Sequence, residues 1–180
     1  MKPDVILSQR INMPEVRRMA AWASESPGNR EQLWELVGAD DRQTSVNALW
    51  VMTRLTDTEP EWLLSLRNEL IDMLLTEKDP SRKRMLLKLL REQQYDADDI
   101  RTDFLDYCMS KINSECEPYA VRCFSIYCAF KMCRHFPELV AELEEHLDMM
   151  AFQSLSPGLK SALRQTKSKI GKLKLNLDQA

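Results

Sequence analysis

EPYAVRCFSIYCAFKMCRHF, residues 117–136, decides how the rest of the chain is read. A stretch this apolar is not a surface helix, yet Arg122, Lys131 and Arg134 interrupt it too often for a membrane span. It reads as a helix with protein on nearly every side. Its opening, a helix-starting residue followed by proline and then an apolar run, recurs along the chain. Asp79-Pro80 opens DPSRKRMLLKLL, Ser156-Pro157 opens SPGLKSALRQTK, and Asp41 opens DRQTSVNALWVM without the proline. The starts at 41, 79, 117 and 156 are separated by 38, 38 and 39 residues. Self-similarity at this period marks an array of helix pairs, because one helical hairpin cannot enclose a core and must bury its second apolar face on a neighbour.

Composition agrees with an array. The 180 residues contain no Gly/Ser-rich or Pro-rich linker, so one elongated domain over 1–180 is expected. Only four glycines are present, and Leu, Met, Ala, Glu, Lys and Arg dominate, which favours helix almost throughout and no sheet. MKPDVILSQRINMPEV lacks the basic-then-apolar order of a secretory signal, so a cytoplasmic location is expected. A net charge of −3 is too small to imply bulk attraction to nucleic acid or anionic membrane.

In chain order, a short N-terminal helix precedes PEVRRMAAWASES, whose Val16, Met19, Ala20 and Ala23 are spaced for one helix face and which Pro27-Gly28 ends. NREQLWELVGA follows with Asn29 as its cap, completing a first pair over about 14–38. The second pair, 41–77, joins DRQTSVNALWVMTRL to EPEWLLSLRNELIDMLLTEK. The third, 79–113, joins DPSRKRMLLKLLREQ to DADDIRTDFLDYCMSKI, whose leading aspartates suit the positive end of a helix dipole. The fourth, 117–150, joins the opening stretch to FPELVAELEEHLDMM, and a last helix runs over 157–172 before a tail, NLDQA, expected to fray. The first and second helices of each pair are called A and B.

With Asp41, Asp79-Pro80, Glu117-Pro118 and Ser156-Pro157 at equivalent places between residues 14 and 172, the chain resembles HEAT and armadillo-like repeats. That resemblance implies an all-α, right-handed α-α superhelix, a HEAT-like solenoid of four helix pairs plus a C-terminal helix, with the B helices on its concave side. HEAT repeats often carry an aspartate and a basic residue at fixed positions. Here Arg84 and Arg122 match one another, whereas Val46 and Ser161 take the corresponding places in the second and last units. The chain is also similar to small bacterial HEAT-like proteins that have been labelled adenylosuccinate lyase. The Gly-Ser-Ser-x-Met-Pro-x-Lys-x-Asn loop of that lyase superfamily is absent from the sequence, so no lyase residue is carried over.

Trp22, Trp34, Trp50 and Trp62 fall one on each of four successive helices, and both 22 to 50 and 34 to 62 span 28 residues, which makes the first unit a shortened relative of the second. They read as a packed layer sealing the N-terminal end, or as an aromatic platform for a base or a peptide. Cys123, Cys128 and Cys133 are five apart, a turn of about 140° between successive thiols, and cannot converge on one ion from a straight helix. With Cys108, Cys116 and only His135 and His146 besides, reduced thiols that pack as small hydrophobes are expected, with no metal and no cofactor. No Gly-rich phosphate loop, His-Glu-x-x-His or Gly-x-Ser-x-Gly is present, so no catalytic residue is nominated.

Charge carries the remaining signal. The B stretches 59–77, 96–113 and 136–150 sum to −12, whereas the A stretches 41–55, 79–92 and 117–135 sum to +6, and the last helix adds six lysines and arginines without an acid. Glu59, Glu61, Asp96, Asp98, Asp99 and Glu138 are expected in first turns, where they complement helix dipoles, and removing them still leaves the B helices at −6. The resemblance therefore implies an acidic groove, to which Glu69, Asp72, Asp103, Asp106, Glu142 and Glu145 contribute, and a basic back. The function expected is non-enzymatic binding of a basic or amphipathic protein segment. Nucleic acid is not the expected partner, and no membrane association is expected. The alternative is nucleic-acid binding or base excision of the kind performed by HEAT-like DNA glycosylases, which would need phosphate contacts from Lys or Arg facing the groove.

Overall fold

The computed structural model describes residues 2–177, and among them every regular element is helical. The chain divides after Gln93 into two compact units. The first holds α1 (Pro3–Leu7), α2 (Met13–Ser24), α3 (Pro27–Val37), α4 (Arg42–Met52), α5 (Pro60–Ser65), α6 (Arg67–Thr76) and α7 (Pro80–Glu92). The second holds a 3-10 turn (Ala97–Asp99), α8 (Thr102–Ile112), α9 (Tyr119–Cys133), α10 (Pro137–Met150) and α11 (Pro157–Leu177). Among the described residues no helix is long and apolar enough to cross a membrane.

Local chemistry fixes where these helices start. Asn12 and Glu15 form a reciprocal capping box, the Asn12 side chain accepting from the Glu15 N–H (3.1 Å) and Glu15 accepting from the Asn12 N–H (2.8 Å). Ser26, Asp41, Asp79 and Ser156 each accept from backbone N–H groups of the first turns of α3, α4, α7 and α11. Prolines 27, 80, 137 and 157 occupy first helical positions, where the missing N–H costs nothing.

In the first unit α4 is central, packing against α1, α2, α3 and α7. Ala48, Leu49, Val51 and Met52 are sealed there with Leu7, Met19, Leu33 and Leu86. Buried Asn47 donates to the carbonyls of Leu7 and Gln9, both at 2.8 Å, tying the short α1 to α4. In the second unit α9 is central and packs against α8, α10 and α11. That burial is what the apolarity of residues 117–136 requires. Val121, Ile126, Cys128, Ala129, Met132 and Cys133 have no exposure at all.

Several expectations change. Pro27-Gly28 does not end α2 but opens α3, and Ser26 rather than Asn29 is the cap. The Asn29 side chain instead donates to the Trp22 carbonyl (2.7 Å) and closes α2. The aspartates at 96, 98 and 99 lie in and beside the 3-10 turn, before α8 begins at Thr102, so they are not in its first turn. The helix expected over 59–77 breaks at Leu66. Buried Gln93 stitches the break, donating to the Leu63 carbonyl (2.9 Å) while accepting from Arg67 Nε (3.2 Å). The last helix runs past Gly171 to Leu177, so Asn176 and Leu177 of the tail are helical, and residues 178–180 lie outside the described residues.

One correction alters the repeat itself. Glu117 does not cap α9. It pairs with Lys111 (3.0 Å), and Pro118 is the flanking residue, its carbonyl accepting from the Arg122 N–H (3.2 Å). The helix starts therefore follow Asp41, Asp79, Pro118 and Ser156, with spacings of 38, 39 and 38. The seventh residue after the first three starts then becomes Ala48, Leu86 and Ser125, all without exposure, while Leu163 after the fourth is half-buried and half-buried Phe124 falls out of the row. Arg84 and Arg122 lose their equivalence for the same reason. Arg84 is exposed, whereas Arg122 is almost fully buried and donates through Nε to the Ile112 carbonyl (3.0 Å) at the end of α8. Ser45, at the matching place in α4, donates to the Val37 carbonyl (2.5 Å) at the end of α3.

Candidate functional site

The surface that gathers the most of the nominated carboxylates lies in the second unit, on α8 and α10, which pack against one another as well as on α9. In α10 the apolar stripe Val140, Leu143, Leu147 and Met150 is buried, and spacings of three and four keep it on one side. Glu142 and Glu145 are therefore held on the other side, exposed. In α8, burial of Phe104, Leu105, Cys108, Met109 and Ile112 leaves Asp103 and Asp106 outward. Glu69 and Asp72 are exposed on α6 of the first unit, opposite its buried Leu70, Ile71 and Leu74.

The six carboxylates are not electrostatically alike. Asp103 receives both the Nε and the terminal nitrogen of Arg101, at 3.0 and 2.6 Å. That bidentate pair and the Phe104 N–H outweigh the opposing effect of burial and hold its carboxyl below the usual range. Its charge is thus answered by its own neighbour. On α10, Glu144 and Asp148 are paired with Lys174 and Lys167 of α11, so the lysines of the last helix neutralise one edge of α10. Among the described residues no cation pairs with Asp106, Glu142 or Glu145. Glu142 also acts inward. Burial pushes the Cys133 thiol up to about 12, and the Glu142 carboxylate adds to that effect.

Two apolar side chains missed by the sequence reading complete this face. Met149 is 56% exposed and Phe152 is 92% exposed, values that set them apart from the buried stripe of α10. The chain continues in helical conformation through Ala151, and Phe152 N–H bonds to the Met149 carbonyl (3.3 Å). Glu138, Glu142, Glu145 and Met149 therefore follow one another at intervals of four, three and four residues on one face of α10, and Phe152 stands in the turn just beyond its end. The spacing of the acids and Met149 is readable in the sequence, whereas Phe152 lies in the turn beyond the helix end at Met150, where helical spacing does not place it.

Other constellations offer less chemistry. Trp22 is buried, and Trp34, Trp50 and Trp62 are half-buried in α3, α4 and α5. Cys108, Cys128 and Cys133 are buried, and burial raises the Cys108 thiol well above its ordinary value, with Cys128 beside it adding to the effect. Among the described residues no cluster of His, Cys, Asp or Glu is arranged to hold a metal ion. An open cleft of about 360 Å³ in the first unit is lined by Arg17, Ala20, Ser24, Arg54, Leu55 and Thr58 among others, with no carboxylate, thiol or imidazole at its wall. Cations concentrate in the same unit, where burial and then Arg54, Arg91 and Arg84 lower the pKa of Lys88.

No curated protein and no solved structure gives a significant match to the chain. A family model described as the HEAT repeat domain matches residues 4–170, and the chain belongs to that family.

Proposed function

We propose that this HEAT repeat chain is a non-enzymatic protein-binding module whose acidic B-helix surface receives a basic or amphipathic segment of a partner. The observation that supports it most is selective neutralisation on α10: Glu144 and Asp148 are paired by α11, while Glu142 and Glu145 project without a cation beside them. Exposed, unpaired carboxylates accelerate encounter with a cationic segment and penalise anionic ones. Asp106 contributes from α8, Asp103 contributes less because Arg101 already holds it, and Glu69 and Asp72 offer a second acidic surface on the first unit.

The test is binding of a fluorescein-labelled Lys/Arg-rich peptide, read by anisotropy at low ionic strength and at about 0.15 M salt. Joint charge reversal by Asp106→Lys and Glu142→Lys is expected to weaken binding by about tenfold or more, a difference of roughly 1.4 kcal/mol, with an unchanged thermal midpoint. Binding that is indifferent to both substitutions would contradict the proposal.

A second reading is favoured by one feature, the gathering of Arg54, Arg84, Lys88 and Arg91 in the first unit, where duplex DNA would find phosphate contacts. Such contact predicts steep salt dependence and loss on Arg84→Glu with Lys88→Glu. DNA binding that falls steeply with salt and is lost on those substitutions would promote the nucleic-acid reading over the protein-binding one.

A further inference from the structure

On α10 the acids and the exposed apolar groups are segregated along one face. Glu138, Glu142 and Glu145 run along the helix from its first turn, Met149 lies at its C-terminal end, and Phe152 stands in the turn that follows. At 1.5 Å per residue the helical strip from 138 to 149 is about 17 Å long, and with Phe152 just beyond it this matches a ligand helix of roughly three to four turns. An isolated solvent-facing Leu or Val is ordinary, but a phenylalanine with almost no cover, close to an exposed methionine, keeps apolar surface in water whose burial by a partner would be favourable. Charge alone gives fast but loose encounters, whereas a bulky apolar anchor seated at one end fixes register and lengthens residence.

From this pattern we infer that α10 docks a cationic amphipathic helix of a partner protein, whose apolar anchor seats on Met149 and Phe152 while Lys or Arg side chains one to three turns away meet Glu145, Glu142 and Glu138. The inference rests on the protein-binding reading above and adds the chemistry and register of the partner. The occupant follows from charge complementarity. The carboxylates disfavour an anionic membrane surface or nucleic acid at this strip, and they demand cations at a fixed distance from the anchor. Met suits such a seat because its unbranched side chain adapts to different apolar shapes.

The probes are two synthetic helix-forming peptides with the same Lys/Arg pattern, one carrying a Leu-Phe anchor pair and the other carrying serines in its place. The full chain is compared with Met149→Ser/Phe152→Ser and with Glu142→Lys/Glu145→Lys, all checked for unchanged thermal midpoints. The expected result is that the anchored peptide binds about tenfold or more tighter than the serine peptide. The Met149/Phe152 variant should erase that difference without weakening the serine peptide, and the charge variant should weaken both. Equal binding of the two peptides, unaffected by the Met149/Phe152 variant, would overturn the inference while leaving the protein-binding reading intact. Failure of both peptides to respond to charge reversal would overturn both. Sedimentation velocity of the chain alone closes the remaining route: concentration-dependent dimers abolished by the Met149/Phe152 variant would assign the apolar end to a second copy and overturn the partner assignment.

Discussion

Replacing Arg122 with alanine tests how the second unit is tied together. Arg122 is only 2% exposed, and its two bonds run to neutral acceptors, the Ile112 carbonyl at 3.0 Å and Gln153 Oε1. Gln153 passes the connection on, donating to the Asn113 carbonyl (3.3 Å), and Asn113 in turn donates to the His146 carbonyl (3.0 Å). Removing the donor strands two acceptors, at a cost of about 1–3 kcal/mol each, while relief of the guanidinium's own desolvation offsets part of that sum. The net loss expected for Arg122→Ala is about 2–4 kcal/mol. Arg122→Met fills the alkyl space and should lose less, whereas Arg122→Lys keeps the charge but not the fork that reaches two acceptors. Urea unfolding followed by circular dichroism reads these values from the midpoint at constant slope. A loss below about 1 kcal/mol for Arg122→Ala would refute the reasoning, because it would mean that water replaces the lost donor.

Three further outcomes follow from the same geometry. Leu86→Ala, at a position with no exposure, should cost about 2–5 kcal/mol in urea unfolding, and Phe124→Ala, at a half-buried one, clearly less. Ser125→Ala should leave stability unchanged or raise it by up to about 1 kcal/mol, since the buried Ser125 hydroxyl has no hydrogen-bond partner, and a loss above about 1 kcal/mol would show that the hydroxyl is satisfied. For Asp79, burial raises the pKa, but the Arg42 bond (2.5 Å) and the Arg82 and Ser81 N–H groups outweigh it and leave the carboxyl below its ordinary value. Its folded pKa is thus depressed. The stabilisation is complete above the unfolded value of about 4 and is lost as pH falls through the folded value. Asp79→Asn should therefore lower the thermal midpoint at neutral pH and lose less on acidification to about pH 3 than the unchanged chain.

Most of the helices were legible because their signals are local. Asp41, Asp79 and Ser156 cap where their sequence context says they should, and apolar residues at intervals of three and four, Val16, Met19, Ala20 and Ala23, identify the buried face of α2. What escaped depends on contacts between distant residues. The break at Leu66 is stabilised by the amide of Gln93, twenty-seven positions away, and nothing in LLSLRNEL announces it. Glu117-Pro118 copies the form of Asp79-Pro80, yet the ion pair of Glu117 with Lys111 leaves Pro118 as the flanking residue and shifts the register by one. Of the site, the acids were readable as charge excess. Their states were not, because Arg101, Lys167 and Lys174 decide which carboxylates remain unpaired.

The acidic surface is tested most directly by amide chemical-shift mapping of the full chain during titration with the anchored cationic peptide. The account predicts that the perturbed amides cluster on α8 and α10 around Asp106, Glu142, Glu145, Met149 and Phe152, and that the shifts vanish with Asp106→Lys and Glu142→Lys. Perturbations confined to α7, around Arg84 and Lys88, or unchanged by the charge reversal, would contradict it.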